Sequence, residues 1–181
     1  MSNSLLLPKL ETISYLEGKG NFAVRKYYKW PERIFYRHKL KMILDLMDVG
    51  RVYKSTLDFG AGPAKILEKS LKSRSWKYTA IDHDDAQPID KFDLIVCGSV
   101  LEFVNLDETL KYFKSHLLNG GHIIGASPMD TALSRFYFKK IGDSLKRNNH
   151  KSIMQALKKH FHVVDNQEWL GLYFSFKATQ K

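Results

Sequence analysis

Leu57-Asp58-Phe59-Gly60-Ala61-Gly62-Pro63-Ala64 decides the fold. A short apolar run ends in two glycines one residue apart, and a proline then suits the first turn of a helix. Glycines after a strand let the backbone turn tightly and come close to a ligand. The pattern predicts strand, loop and helix in succession, the helix carrying Ala64, Leu67 and Leu71 on one stripe. Lys77 to Ile81 reads as a second strand. It ends at Asp82, 24 residues after Asp58. In open α/β sheets ligands lie beyond the carboxyl ends of the strands. An acid at the end of the second strand can accept both hydroxyls of a ribose.

The alternation continues on both sides of this unit. Upstream, Tyr36, Leu40, Ile43, Leu44 and Met47 fall on one face of a 3.6-residue period, predicting a helix that starts near Pro31 and ends at Gly50. Downstream, Phe92 to Cys97 is a third strand. Its continuous run Leu94-Ile95-Val96 fits a strand covered on both faces. Asn105-Leu106-Asp107-Glu108 has the form of a helix cap. Leu110, Phe113 and Leu117 give that helix its face, and Gly120-Gly121 is expected to stop it. His122 to Ala126 is a fourth strand. A helix after Asp130 carries Leu133, Phe136, Tyr137 and Ile141 on one face, and another carries Ile153, Ala156 and Leu157. His162 to Asp165 and Leu172 to Ala178 are the last strands. Too few residues separate them for a crossover helix, so they pair antiparallel as a hairpin. The expected fold is α/β: a Rossmann-like, mostly parallel sheet of about six strands, with a C-terminal antiparallel hairpin strand and helices on both faces. The chain is expected to form a single domain, with residues 1–50 as an N-terminal helical cap and 51–181 as the core and hairpin.

The glycine loop fits two nucleoside cofactors unequally. A dinucleotide site asks for G-x-G-x-x-G, and Lys65 stands where the third glycine would be. An acid just before the loop, Asp58, would repel a pyrophosphate. It suits the ammonium and sulfonium of S-adenosyl-L-methionine. At these residues the sequence resembles the class I S-adenosylmethionine-dependent methyltransferases, in their small-molecule-type branch. Leu57 to Gly62 looks like their glycine motif, and Ala80-Ile81-Asp82 like their acidic ribose motif. Asp85-Ala86-Gln87-Pro88-Ile89 is similar to the adenine-side motif. Phe92 to Val96 with Val100 to Val104, and Leu117 to Ile124, resemble the later strands and turns. The Asn/Asp-Pro-Pro-Tyr motif of nucleic-acid amino-methylating members is absent, Cys97-Gly98-Ser99-Val100 standing in its place. The resemblance implies S-adenosyl-L-methionine as cofactor, contacted by Asp58, Gly60, Ala61, Gly62, Asp82, His83, Asp85 and Gly98. The chain departs from the family in one large way. Nine residues separate Asp82 from Phe92, whereas a helix, a strand and their loops need on the order of 20. One strand–helix unit of the usual seven-stranded sheet is therefore expected to be missing.

Composition narrows the rest. The 181 residues are 44% hydrophobic and 27% charged, as in an ordinary globular chain and not a disordered one. No apolar run approaches the length of a membrane span. Met1 to Leu10 lacks the charged and apolar regions of a secretory signal. The lone Cys97 allows no intrachain disulfide, which fits a reducing cytoplasm. The net charge is +10, and its whole excess sits in residues 21–41 and 132–160. That unevenness favours anionic partners. In residues 22–41, Phe22, Tyr27, Tyr28, Trp30, Phe35 and Tyr36 interleave with lysines and arginines. The stretch suits RNA stacking, an anionic membrane surface, or a capping helix with apolar residues inward and charges in water.

Trp30, Arg33, Arg135 and His150 are the acceptor-side candidates. His150 suits a general base near neutral pH, or a solvated histidine at a helix start. No catalytic residue is assigned. The histidines lack metal-ligand spacing, so no metal is expected. Cys97 reads as a core residue and Glu102 as a helix-start acid. The expected activity is methyl transfer to an anionic small-molecule or lipid-linked acceptor. The alternatives are an RNA acceptor, or a non-catalytic binding protein on the same scaffold.

Overall fold

The computed structural model describes residues 30, 32–62, 65–82, 85–140 and 148–181. The elements run α1 (Glu32–Asp45), β1 (Tyr53–Phe59), α2 (Glu68–Lys72), β2 (Ser75–Ile81), β3 (Phe92–Gly98), α3 (Leu106–His116), β4 (Leu117–Pro128), α4 (Ala132–Lys140), α5 (His150–His160), β5 (Phe161–Trp169) and β6 (Tyr173–Gln180). Six strands form one sheet in the order β2-β1-β3-β4-β6-β5. The four strands β2, β1, β3 and β4 are parallel, and β6 pairs antiparallel with both β4 and β5. This is the mixed α/β sheet expected from the sequence, with the final hairpin in place.

Each face has its own core. On one, Leu40, Ile43 and Leu44 of α1, Met47 just after it, and Leu67 and Leu71 around α2 pack on Leu94, Val96, Ile124 and Ala126. On the other, Leu110 and Phe113 of α3 and Ile153 and Leu157 of α5 cover Ile95, Cys97, Phe174 and Phe176. The run Leu94-Ile95-Val96-Cys97 thus feeds both layers in alternation, and all four residues are buried. A third cluster joins Met42 of α1 to Leu172 and Tyr173 at the hairpin, with Phe35, Tyr137 and Trp169 against it.

The link from β2 to β3 explains the shortened middle. It must run back along a seven-residue strand and pass β1, roughly 25 Å in all. Its ten residues span about 33 Å when extended, so no helix fits. Residues 85–91 form an irregular strap. Tyr112 Oη of α3 donates to Pro88 O (3.3 Å) and Lys77 Nζ to Asp90 (2.9 Å). With no strand beyond it among the described residues, β2 is an edge, and Trp76 is 79% exposed there.

Three expectations are corrected. The helix expected at Pro63 spans only Glu68–Lys72, and Pro63 and Ala64 lie outside the described residues. Gly120-Gly121 does not end α3, which stops at His116. These glycines lie inside β4, where the register on β3 slips between Phe92↔Leu117 and Leu94↔His122. Gly120 takes φ +73, and a Cβ on Gly121 would meet Leu118 O at 2.8 Å, so the bulge requires both. In α4 the expected stripe is buried only in part: Tyr137 packs on Phe35 as expected and Ser134 turns inward, but Leu133 and Phe136 are exposed, and Ile141 lies outside the described residues. Thr131 sets that rotation. Its Oγ1 accepts from Ser134 N (3.0 Å) and donates to Gly171 O (2.6 Å), fixing the helix start on the hairpin.

At the amino ends of the strands, Asp48 ties the end of α1 to the sheet. Its carboxylate accepts from Lys177 Nζ and from Arg51 Nη1 (3.1 Å), and lies 3.1 Å from His122 Nε2. Burial alone would raise its pKa, but the hydrogen bonds from Lys177 and Arg51 outweigh this and hold it below the usual carboxylate range. A depressed acid stabilises the fold above its unfolded pKa and loses that contribution as the pH falls through its folded one. Asp48→Asn should therefore lower the unfolding free energy at pH 7 by about 1 kcal/mol, the modest size reflecting partial exposure. Urea melts of the two proteins should converge as the pH approaches 3. An equal gap at both pH values would rule out the ion pairs as its source.

Candidate active site

The site grows from one close contact. A Cβ on Gly60 would lie 2.6 Å from Val100 Cγ2 and 2.7 Å from its Cβ, and Gly60 has φ +74. Only glycine lets the end of β1 pass beneath the loop after β3. Gly60 N and Ala61 N both donate to Ile81 O, at 2.9 and 3.1 Å. The loop is thereby fastened to the end of β2, and Asp82 is held beside it. Gly62 has φ +66, with open space where its Cβ would be. Gly60, Ala61 and Gly62 are all half-buried. Lys65, at the third position of the dinucleotide pattern, has φ +43 and so adopts a left-handed backbone that glycine would favour.

Asp58 and Asp82 differ sharply. Asp82 is exposed. Its amide donates to Asp85 Oδ2 (2.7 Å), and Asp85 N donates back to Asp82 O (3.1 Å). Asp85 thus caps the turn that presents Asp82. Asp58 is 3% exposed and accepts a hydrogen bond from Tyr78 Oη (2.9 Å). Burial pushes its pKa up to about 6, against the lowering effect of the tyrosine. Glu68 and Asp82 add negative potential there and Lys65 subtracts from it. His83 lies outside the described residues. Gly98 ends β3 next to this loop, and a Cβ there would touch Ile43 Cδ1 at 3.3 Å. Packing on α1 is thus a sufficient reason for that glycine.

The acceptor-side candidates spread apart. Trp30 and Arg33 are exposed near the start of α1. Arg135 is exposed and paired with Asp130 (2.8 Å). His150 begins α5, and its Nδ1 accepts from Asp130 N (2.9 Å). In the neutral ring that leaves the proton on Nε2, making His150 a donor on its other side. This tautomer holds the α5 start against the loop after β4 and does not suit a general base.

Sequence reasoning missed two groups. Glu102 is not a helix-start acid but a buried one, 3% exposed, accepting from Ser127 Oγ (2.9 Å) in the loop after β3. Asn148 N donates to the Glu102 carbonyl. Lys39 of α1 is also 3% exposed, with its Nζ 2.7 Å from Ser99 Oγ. Helical periodicity places Lys39 next to the apolar stripe without marking it as interior. Ser99 lies 60 residues away, and no local pattern joins the two.

No family model matches the chain, and no curated protein matches it. Solved structures do. N-methyltransferase NodS from Bradyrhizobium japonicum WM9, in complex with S-adenosyl-L-homocysteine, aligns with a TM-score of 0.58 at 16% identity, over 93% of this chain and 98% of that one. A possible histamine N-methyltransferase from Thermotoga maritima aligns at 0.61 and 18%, over 87% and 96%. A complex between the Haloferax volcanii Trm112 methyltransferase activator and the putative methyltransferase aligns at 0.61 and 12%, over 89% and 96%. The chain has the class I S-adenosylmethionine-dependent methyltransferase fold.

Within that fold, the residues present suit the cofactor on the ribose and methionine sides. Asp82 is exposed, and its carboxylate would accept ribose hydroxyls. The open space beside Gly62 would leave its backbone accessible to a ligand, and Asp58 would supply negative charge for a cationic group. Among the described residues no three histidine, cysteine, aspartate or glutamate side chains gather to hold a metal.

A raised acid has the opposite linkage from Asp48. It stabilises the fold below its unfolded pKa and loses that contribution as the pH rises through about 6. Asp58→Asn retains an acceptor for Tyr78 and removes the buried charge. Its unfolding free energy from urea melts at pH 8 should exceed the parent's by roughly 1–2 kcal/mol, with the two converging near pH 4. Identical midpoints at pH 8 would mean that the charge is fully compensated in the fold.

Proposed function

We propose that this protein binds S-adenosyl-L-methionine at the Gly60–Gly62 loop and Asp82, and transfers its methyl group to an anionic small-molecule or lipid-linked acceptor. The observation that carries the reading is the joining of that loop to the end of β2 by the bonds to Ile81 O. It brings Asp82, Gly62 and Gly98 to one edge of the sheet, in a fold whose solved example NodS holds S-adenosyl-L-homocysteine.

When bound, the cofactor supplies a methyl on a sulfonium that is already a good leaving group. The chain's own work is binding, orientation and exclusion of water. Asp82 would accept the ribose hydroxyls. Asp58 would face the cationic end across the loop, its negative charge costing fold stability when the cofactor is absent. Gly60 keeps β1 close enough to Val100 that the donor and the acceptor sides meet. The two basic segments favour an anionic acceptor.

Isothermal titration with S-adenosylmethionine and S-adenosylhomocysteine, with NAD as the control, tests the reading. Both should bind at micromolar Kd, NAD should not, and Asp82→Ala should weaken both at least ~10-fold. Absence of binding to either would move the function to the basic surface of a non-catalytic protein.

RNA is a second acceptor reading, favoured by exposed Trp30 and Phe136 near exposed Arg33 and Arg135. Binding of a bulk RNA should weaken only slightly between 50 and 200 mM salt under the small-molecule reading. A steep fall with salt would favour RNA instead.

A further inference from the structure

We propose that Ser99 and Lys39 form a subsite that holds a carboxylate group of the methyl acceptor. The proposal rests on the cofactor reading above, since it places the acceptor at the carboxyl end of β3 beside the glycine loop.

Ser99 carries the first observation. It follows Gly98 at the end of β3 with φ +61, a left-handed backbone that a serine rarely adopts. Its amide donates to Ala126 O at 2.7 Å, so β4 pins that conformation. A residue held in strain by its surroundings points to a role for its side chain, because a glycine would fold there at lower cost. The loops on either side supply the glycines they need, at Gly60 and Gly62. Position 99 carries a hydroxyl instead.

Lys39 carries the second. An ammonium has only N–H donors, so at 2.7 Å it makes Ser99 Oγ the acceptor. The serine O–H then points away from Lys39 and must donate elsewhere. A hydroxyl that accepts from a cation is also a stronger donor. The ammonium lies 5.3 Å from the Tyr36 ring centroid and 5.8 Å from that of Tyr173. On the same face of β6 as Tyr173, Ser175 is fully buried with its hydroxyl unpaired. Half-buried Ser99 is the outward member of this group.

The chemistry selects a carboxylate. One cation, one oriented hydroxyl and aromatic walls suit a single negative charge. A phosphate dianion would leave a second charge uncompensated among tyrosine rings. Ser99 would bind the carboxylate oxygen directly. Lys39 would orient the Ser99 hydroxyl and supply the balancing charge.

The test uses benzoate as the probe, with benzamide and phenyl phosphate alongside. Each is titrated into the full-length protein, free and loaded with S-adenosylhomocysteine, at pH 7.5. The variants are Lys39→Met, which keeps the stem, and Ser99→Gly, which removes the hydroxyl and relieves the strained backbone. Benzoate should bind the parent at least ~10-fold more tightly than benzamide does, and lose at least ~10-fold in each variant. Ser99→Gly should lose binding while its melting temperature rises, a combination that a purely structural serine would not give. Should Lys39→Met not fold, Ser99→Gly decides alone. Equal benzoate binding by parent and Ser99→Gly, no binding by the parent, or tighter binding of phenyl phosphate would each overturn the subsite. If S-adenosylhomocysteine does not bind the parent, the cofactor reading fails. The titration into free protein still decides the subsite.

Discussion

The rest of the structure depends on the absence of a side chain at Gly60. Three strand ends and two loops meet around that one α-carbon, with the Val100 side chain where a Cβ would lie. The Gly60 and Ala61 amides are spent on Ile81 O, so the loop cannot rise away from β2. The close approach also sets the distance between the Asp82 edge and the loop that follows β3. A methyl group at position 60 would displace either Val100, and with it the Ser99 backbone, or the β1–β2 junction. The proposed donor and acceptor sides of the site would therefore be mechanically one unit.

The second constraint is chain length. Ten residues must return from the end of β2 to the start of β3, and an extended path nearly exhausts them. The 82–85 turn takes up the small excess, which is why Asp85 is drawn onto the Asp82 amide. One short link thus removes a strand–helix unit, leaves β2 as an edge among the described residues and orders Asp82, the acid proposed for the ribose. The strap proposed for the adenine side is correspondingly thin, with its Ile89 94% exposed. Affinity would then rest more on the ribose and methionine contacts than on enclosure of the base.

Most of the fold was legible in the sequence because its signals are local. The buried run at Leu94 to Cys97, the α1 stripe and the terminal hairpin each follow from period and turn spacing within about fifteen residues. The glycine loop and Asp82 were legible for the same reason. Gly120-Gly121 misled because a helix stop and a strand bulge both ask for glycine, and only the pairing with β3 separates them. Leu133 and Phe136 misled because the rotation of α4 is set by the bond from Thr131, at its start, to Gly171 of the distant hairpin. Lys39 was invisible as an interior group because the hydroxyl and rings that meet it come from α1, the end of β3 and β6. Pair contacts across such separations leave no periodic trace.

The two ends of the sheet are built on opposite principles, and the contrast itself speaks for function. At the amino ends, Asp48 meets Lys177 and Arg51, and the acid is stabilised in its charged form. At the carboxyl ends, Asp58 is buried at the cost of a raised pKa. Lys65 and Ser99 there hold left-handed backbones, the other such non-glycine residue described being Leu170 in the hairpin. Packing alone gives no reason for this division, since glycine at 65 and 99 and a neutral residue at 58 would make the same sheet more stable. Such costs persist where a binding partner recovers them. The buried acid stands two residues before Gly60, and the cation-oriented hydroxyl stands one residue before Val100, which packs on Gly60. Donor and acceptor of opposite charge would be recovered on opposite sides of Gly60, which is the arrangement a transfer between them requires.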